Sequence, residues 1–262
     1  LWAWHFGRGI VATPSDFGKL SGGASHPELL DWMAQQFTGS KWSVKAMHRL
    51  ILNSQTYRQA SIHSDPQAEK ADPDNILHWR FRSRRLEAEA VRDAVLAVSG
   101  RLNPEQFGLP ILPPLPDGVA EAVKCGEGKW ATQTGPEGRK RSIYIYQQRS
   151  MSMPLMQTFD SVVCDSTRDQ RQTSTTPLQA LTMYNGRFAN EEANYFAARI
   201  RKEAGNSLAA QIVLAFQIAL GREPEPEESD RMQALASSSS VGDRLAAICR
   251  VLLNTNEFVY VQ

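Results

Sequence analysis

The residues best suited to chemistry form two groups, one at the start of the chain and one in its second half. The opening stretch WAWHFGRG places His5 and Arg8 among aromatic residues and glycines, and Asp16 follows soon after. A histidine in this setting can act as an acid or a base, and an arginine can bind an anionic or sugar substrate. Alternatively, the aromatic residues belong to the core and His5 is a hydrogen-bonded structural residue.

The second group lies before and within the stretch TRDQRQTSTTPLQALTMYNGRF, residues 167 to 188. Asp160, Arg168 and Arg171 stand there among several alternating charges, just ahead of a predicted helix. A helix N-terminus favours anions, so these arginines could complete an anion or carbohydrate site. They could equally pair with neighbouring aspartates and fix the loop.

The rest of that stretch has a structural explanation. Thr176 and Pro177 predict a helix start, because threonine caps helices and proline lacks an N–H that would be unsatisfied there. Leu178 and Leu181 are expected to begin the apolar face of this helix. The pair Asn185–Gly186 is expected to end it with a left-handed residue.

A third candidate surrounds the segment SIYIY. Arg141 and Arg149 flank it, and Tyr144 lies within it. Aromatic rings combined with arginines suit a sugar or a phosphate, so the segment could face a ligand. The alternative is a solvated strand flanked by charges.

Cofactor motifs are absent from the sequence. The five histidines form neither H-x-x-x-H nor H-E-x-x-H, so we predict no metal site; one would have to assemble from distant positions. Cys125, Cys164 and Cys249 form neither C-x-x-C nor C-x-x-C-H, which excludes a zinc ribbon and an attached c-type haem in this chain. The sequence leaves the disulfide state of these cysteines open.

Composition narrows the range of partners. The chain is 42% hydrophobic and 22% charged, as globular proteins are. The 29 basic and 28 acidic residues give a net charge of +1, which argues against a nucleic-acid binder. The arginine-rich run 80–85 is interpreted as a solvated or salt-bridged face. No apolar stretch approaches the roughly 20 residues of a membrane span.

Helical periodicity dominates the first third of the chain. A capping box of Ser25 and Glu28 opens one predicted helix, Ser43 caps the next, and the two are expected to form a hairpin. Residues 65–75 are polar and twice broken by proline, which predicts a loop. The next helix is expected to end at Gly100. Its predicted inward residues are Leu86, Ala90, Ala94, Val95 and Val98.

The remaining pattern defines the architecture. Prolines and glycines exclude long helices from residues 103–140. A β-hairpin is predicted from the segments KWATQ, TGPEG and RKRSIYIYQQR. Helices are then expected near 177–184, 188–204, 207–220, 226–237 and 243–254. We predict a mainly α protein, a multi-helix bundle of two packed lobes with an irregular insert that carries a small hairpin. The single domain 1–262 would comprise an N-terminal lobe 1–102, the insert 103–150 and a C-terminal lobe 151–262.

Several motifs resemble one family across nearly the whole chain. They are LWAWHFGRGIVATPSDFG, SHPELLDWMA, RRLEAEAVRDAVLAVSGRL, KRSIYIYQQR, TTPLQALTMYN and LLNTNEFVYV. Together they are similar to the planctomycete-specific C-terminal domain, the domain of unknown function numbered fifteen fifty-three. This family carries no established activity, so the resemblance assigns no catalytic role to any residue.

The resemblance implies a setting for the chain. Members lie at the C-terminal end of large exported bacterial proteins, after a companion domain and often a cytochrome-c-like domain further upstream. Any haem is therefore expected upstream, and the chain, which begins at Leu1 without an initiator methionine, is expected to be part of a longer periplasmic or otherwise extracytoplasmic protein.

Two functions remain open at this point. The first is an accessory module that docks onto the upstream companion domain. The second is an extracytoplasmic enzyme or binding domain for polysaccharide, with a site between the lobes that uses the charged residues named above.

Overall fold

The structure is a computed structural model that describes residues 1–116, 118–119, 124–125, 128–148, 152–162, 167, 170–237 and 242–261. The described residues are mainly helical. Their α-helices are α1 (Trp2–Phe6), α2 (Pro27–Gly39), α3 (Val44–Leu52), α4 (Pro66–Ala71), α5 (Ala88–Val98), α6 (Pro154–Thr158), α7 (Pro177–Asn185), α8 (Arg187–Ala204), α9 (Leu208–Leu220), α10 (Pro226–Ser237), α11 (Arg244–Leu253) and α12 (Asn256–Val259).

Extended structure is confined to short pieces. The strands are β1 (Arg84–Arg85), β2 (Lys124–Cys125), β3 (Gly128–Lys129) and β4 (Tyr260–Val261), and Glu137–Arg139 and Ser142–Tyr144 form 3-10 helices. Strands β2 and β3 pair antiparallel, with Lys124 opposite Lys129 and Cys125 opposite Gly128. The predicted fold class, mainly helical with a small antiparallel hairpin, is therefore confirmed.

The chain divides into two compact units. The first unit comprises Leu1–Arg84 together with the C-terminal residues from Tyr260, and the second comprises Arg85–Val259. Helix α5, which the sequence division places in the N-terminal lobe, belongs to the second unit.

The core of the first unit forms around α1, α2 and α3. Its buried residues are Phe6, Ile10, Met33, Met47, Ile51 and Phe81. Helix α3 begins where predicted, because the Ser43 side chain accepts a hydrogen bond from the Ala46 amide. This start turns Met47 and Ile51 inward, four residues apart on one face. Val261 packs against the same core from the other end of the chain.

Two predictions for the first unit are wrong. The Ser25 hydroxyl donates to the Ile10 carbonyl at 3.1 Å, so α2 is capped at His26 and has no capping box with Glu28. The predicted loop 65–75 contains α4, because the Asp65 carboxylate accepts from the Gln67 and Ala68 amides and Pro66 suits the first helical position.

In the second unit, α8 packs against α11, α9 and α7. The alanines Ala193 and Ala197 are buried on α8, so neighbouring helices can approach closely there. The helix ends predicted at Gly205 and Gly221 are confirmed, since both glycines have positive φ angles of 68° and 73°. All five predicted C-terminal helices are present within a residue or two of their expected bounds.

Helix α5 buries a somewhat different face from the predicted one. Ala90 is exposed, whereas Ala88, Val91 and Leu96 are buried together with the predicted Val95 and Val98. Gly100 follows the helix with φ 76°, as expected.

The most deeply buried charge on α5 is Arg92, which is 2% exposed. Its guanidinium donates to the carbonyls of Gly138 and Lys140, at 2.7 and 3.2 Å, and to the Ser142 hydroxyl at 3.1 Å. The insert, which has little regular structure of its own, is thus hydrogen-bonded to a buried arginine of α5.

The predicted hairpin position is wrong. SIYIY does not pair with KWATQ; instead Ser142–Tyr144 is a 3-10 helix, and Ile145 forms an isolated parallel bridge with Ile111. The Asp93 carboxylate accepts from both the amide and the hydroxyl of Ser142, at 2.8 and 2.7 Å. This contact fixes the segment in a turn despite its alternating pattern.

Helix α7 is also oriented differently from the prediction. Thr176 and Gln179 form a capping box, with Pro177 as the first helical residue. Leu178 and Leu181 are exposed, however, and the buried residues are Gln179 and Met183. Gly186 has φ −63°, so the helix does not end in a left-handed residue.

An ion-pair network connects the C-terminal helices of the second unit. Arg222, just after α9, bonds through two nitrogens to Glu228 of α10 and through two nitrogens to Glu257 of α12, at distances of 2.7 to 2.8 Å. Such paired planar contacts fix the relative position of three helices.

Candidate functional site

The histidines all fall in the first unit, and most of them surround α1. His5, His26, His48 and His78 each contact a ring of α1 or of one another. The fifth, His63, lies 6.5 Å from the Trp79 ring. This concentration makes the neighbourhood of α1 the best candidate for a functional site.

His5 and His48 form the closest pair. Nε2 of His5 lies 3.1 Å from Nδ1 of His48, and the two rings are within 15° of parallel with centroids 5.0 Å apart. Helix α1 carries His5, and Gly7 ends that helix with φ 78°. On α3, His48 is the residue after the buried Met47, so it lies at the edge of the helix face that packs on the core.

The surroundings favour the uncharged form of His5. Burial lowers the pKa of His5 to about 4, and the charges of His48 and Arg84 act in the same direction. His5 is thus a neutral imidazole near pH 7, able to offer a lone pair or accept a hydrogen bond. The Tyr57 ring contacts it edge-on at 5.8 Å.

A second pair lies on another side of α1. The His78 ring packs against Phe6 at 4.9 Å and Trp2 at 5.4 Å, with His26 at 5.9 Å. Burial, followed by the nearby His26, lowers the pKa of His78. His26 also forms a hydrogen bond with the Ser25 hydroxyl at 2.9 Å. The ring contacts of His26 and His78 make this pair part of the packing around α1.

An exposed apolar surface adjoins the His5–His48 pair. Trp4 is 64% exposed, and its ring stacks on that of His48 with centroids 6.5 Å apart. Val44 and Leu52, one helical turn to either side of His48 on α3, are also exposed. We call these four residues, Trp4, Val44, His48 and Leu52, the Trp4 surface.

The structure places the first predicted group in the first unit without bringing it together. Arg8 is exposed, and Asp16 is an exposed turn residue whose carboxylate accepts from the Gly18 amide at 2.9 Å. No hydrogen bond or ion pair joins His5, Arg8 and Asp16, all of which the structure describes.

The second predicted group lies in the second unit. Asp160 accepts from Arg85 Nη2 at 2.6 Å, from the Ser174 amide at 2.7 Å and from the Ser174 hydroxyl at 2.9 Å. Asp160 has φ 58°, a left-handed conformation in which aspartate is more common than most residues. This carboxylate joins the end of α6 to the segment that leads into α7.

Arg171 is paired with acidic residues at the start of α5. Its guanidinium binds Glu89 through two nitrogens, at 2.6 and 3.1 Å, and lies 3.4 Å from Glu87. Burial raises the pKa of Glu89, but the Arg171 hydrogen bonds and charge outweigh it, so the net pKa is lowered. The charged partners of Asp160 and Arg171 are thus Arg85 and Glu89 of distant segments rather than each other.

The third group is only partly described. Arg141 is exposed, 3.8 Å from Asp93, and the Tyr144 hydroxyl accepts from the Phe107 amide at 2.8 Å. Arg149 and Arg168 lie outside the described residues, as does Cys164.

Cys249 is buried with its thiol free, and burial raises its pKa above the usual value.

Sequence reasoning did not identify His48, Tyr57 or Trp4 as site residues. The helix α3 was recognised from its Ser43 cap. What the sequence could not show was the contact between His48 and His5, because 43 positions separate them.

Neither a metal-binding group of three side chains nor a helix able to cross a membrane occurs among the described residues. They contain no group of three or more histidine, cysteine or acidic side chains placed to hold a metal ion. Within the same residues, no helix combines the length and the apolar character that a bilayer crossing requires.

Comparison with known proteins gives one match. A family model described as PSD1: Protein of unknown function (DUF1553) matches residues 1–236. No curated protein and no solved structure matches the chain.

Proposed function

The chain belongs to this PSD1 (DUF1553) family of unknown function, and we propose that it is a non-catalytic accessory module that docks onto a folded partner domain. The partner in this proposal is the companion domain that precedes such chains in an exported multidomain bacterial protein, with a cytochrome-c-like domain further upstream. The docking face is the Trp4 surface.

The observation that carries the proposal is the exposure of Trp4. A tryptophan buries more apolar area than most residues, and tryptophan is enriched among the residues that dominate binding energy at protein interfaces. One side of its ring faces the His48 ring at a centroid distance of 6.5 Å, and the rest is open to a partner. Val44 and Leu52 extend the apolar area on both sides.

The charges around the Trp4 surface indicate the kind of partner. Residues 41–58 contain Lys41, Lys45, Arg49 and Arg58 but no aspartate or glutamate. Within the described part of the chain, no ion pair involves Lys45 or Arg49, which are exposed on α3 beside the apolar residues. The complementary partner is a protein surface with an apolar centre and an acidic rim.

The contacts of the charged candidates support a non-catalytic role. Asp160 and Arg171 are engaged by Arg85 and by Glu89 within the second unit. A general acid or a substrate-binding arginine needs a free face toward the substrate, and these side chains already use their hydrogen-bonding groups internally.

The test is a binding titration between this chain and the companion domain, prepared as separate polypeptides. We expect saturable binding by calorimetry, weakened at least about tenfold in Trp4→Ser and in Leu52→Ser. Leu178→Ser is the matched control, because Leu178 is similarly exposed but lies on α7 in the second unit. Lys45→Glu should slow association and reduce the salt dependence of its rate.

Two results would contradict the docking proposal. One is the absence of binding between the two folded polypeptides. The other is an affinity that Leu178→Ser lowers as much as Trp4→Ser does.

Polysaccharide binding or cleavage is the second candidate function. The observation in its favour is that Trp32 and Trp42, like Trp4, are exposed in the first unit, and a flat exposed ring can stack on a sugar. A polysaccharide array followed by an assay for newly released reducing ends tests this candidate. Binding that depends on these tryptophans, together with no binding to the companion domain, would favour it over docking.

The extracytoplasmic location is part of the same proposal. Fractionation of cells that produce the full-length protein tests it. Recovery of the protein in the cytoplasmic fraction would contradict it.

A further inference from the structure

The separation of His5 and His48 fits a shared metal ion. Bonds from transition metals such as zinc to imidazole nitrogen are about 2.0–2.1 Å long, so two nitrogens bound to one ion at an angle of about 100° lie about 3.1 Å apart. The observed distance between Nε2 of His5 and Nδ1 of His48 is 3.1 Å. We propose that this pair binds one divalent late transition-metal ion, Cu²⁺ most tightly, with water completing the coordination.

Both donors are held in place by packing. His5 is buried, with Tyr57 edge-on to its ring, and His48 stacks against Trp4. The ligands come from two different helices, α1 and α3, so the pair is positioned by the core of the first unit. His48 is only half-buried, so its ring is in contact with solvent, from which the ion and its water ligands would come.

The proton that lies between His5 and His48 must move before a metal ion can bind both nitrogens. In the metal-free protein, one of the two facing nitrogens carries a proton and donates it to the other. A metal ion needs a lone pair from both, so the donating imidazole must move its proton to its other ring nitrogen. Binding therefore moves this proton from one nitrogen to the other within the same ring and releases none.

The side chains around the pair determine which metals fit. Among the described residues, no aspartate or glutamate forms a metal-binding group with this pair. Calcium and magnesium prefer oxygen ligands and would find none here from a carboxylate. Imidazole suits copper, nickel and zinc, and copper(II) forms the strongest complexes of the divalent series. The pair shares His48 with the Trp4 surface, but the experiment uses this chain without its partner, so its outcome does not depend on the docking function.

The experiment titrates the full chain, with its amino terminus acetylated so that the Leu1 amine cannot bind metal, with Cu²⁺ in a weakly chelating buffer. We expect one equivalent of bound Cu²⁺ and a rise in the thermal midpoint. His48→Gln should weaken binding by more than about tenfold. His63→Gln, which changes an exposed histidine of the same unit outside the pair, should bind as the unaltered chain does. Magnesium should not bind.

A second measurement does not depend on a variant that folds. The electron paramagnetic resonance spectrum of the copper-loaded unaltered chain should show coupling to two imidazole nitrogens. The proposal is overturned if no stoichiometric copper binds, if the spectrum shows fewer than two such nitrogens, or if folded His48→Gln binds copper unchanged.

Discussion

Arg85 and Asp160 form an ion pair of 2.6 Å between Nη2 and Oδ2, although 75 positions separate them in the sequence. The Arg85 side chain is 3% exposed, so its charge has little access to water. Its Nε also donates to the Ser174 carbonyl at 3.2 Å, and Asp160 binds the amide of the same residue. The ion pair therefore closes a hydrogen-bonded connection between Arg85 of β1, the end of α6 and the approach to α7.

Replacing Asp160 should destabilise the protein strongly. Asp160→Ala leaves the buried Arg85 charge unpaired, which costs about 3–5 kcal/mol. Asp160→Asn tolerates the left-handed backbone and keeps part of the hydrogen bonding, so it should lose less. Urea unfolding measures both. The control is Glu227→Gln, whose pair with Arg231 is solvent-exposed, and a change within about 0.5 kcal/mol is expected there.

A methyl group at Gly138 should not fit. A Cβ at this position would lie 1.9 Å from the Gln133 carbonyl oxygen, and the Gln133 amide is itself bonded to the Leu112 carbonyl at 2.8 Å. Gly138→Ala should therefore cost about 1–3 kcal/mol of unfolding free energy, or more. Gly135→Ala, with no atom within 4 Å of the new Cβ, should be nearly neutral. Equal losses in the two variants would contradict the steric explanation.

The connection between α2 and α3 should gain stability from a glycine. Lys41 is exposed and has φ 55°, a conformation that is strained for a side chain with a Cβ. Lys41→Gly should raise the unfolding free energy by about 0.5–1 kcal/mol. The opposite sign is expected for Ala34→Gly in the middle of α2, where glycine costs about 1 kcal/mol. Thermal unfolding of the two variants measures the contrast.

The Arg222 network should make stability depend on pH in the acid range. Hydrogen bonds from Arg222 lower the pKa of Glu228 to about 2, against an opposing effect of burial, from an ordinary value of 4.5. Between these values the unfolded chain binds more protons than the folded one, so this contribution is present above pH 4.5 and falls as the pH drops toward 2. Urea unfolding at pH 6 and pH 3 should show a smaller difference between the unaltered chain and Glu228→Gln at pH 3. A difference that does not change with pH would contradict this.

Much of the helical structure was predictable from local signals. The C-terminal helices are separated by residues that stop helices. Gly221 adopts the left-handed conformation expected of it, and Gly205 has the positive φ that glycine tolerates. Ser43 and Thr176 are helix caps for the same local reason. Such signals act within one turn of the chain, so a single sequence contains them.

The errors arose where distant residues determine the local structure. SIYIY alternates as a strand would, but Asp93, 49 positions away, binds Ser142 and fixes a 3-10 turn. Leu178 and Leu181 have the spacing of a buried face, whereas the structure buries Gln179, whose amide donates to the Thr158 carbonyl at 3.0 Å.

Only part of the candidate site could be predicted from the sequence. His5 was identified from its aromatic setting, and its burial and hydrogen bond agree with the structural alternative considered for it. Its contact with His48 requires α1 and α3 to pack together, which no spacing rule shows. The charged pairs around Arg171 were foreseen as an alternative, but the partners are Glu87 and Glu89 of a distant segment rather than the neighbouring aspartates.

The first unit is formed by two segments of the chain, which affects when it can fold. Val261 packs on the core that contains Phe6 and Met47, so that core draws on two segments that lie far apart in the sequence. The second unit is encoded between these two segments. Translation therefore supplies the whole of the second unit before it supplies Val261, and the first unit, although its main segment is made earlier, completes its core only afterwards.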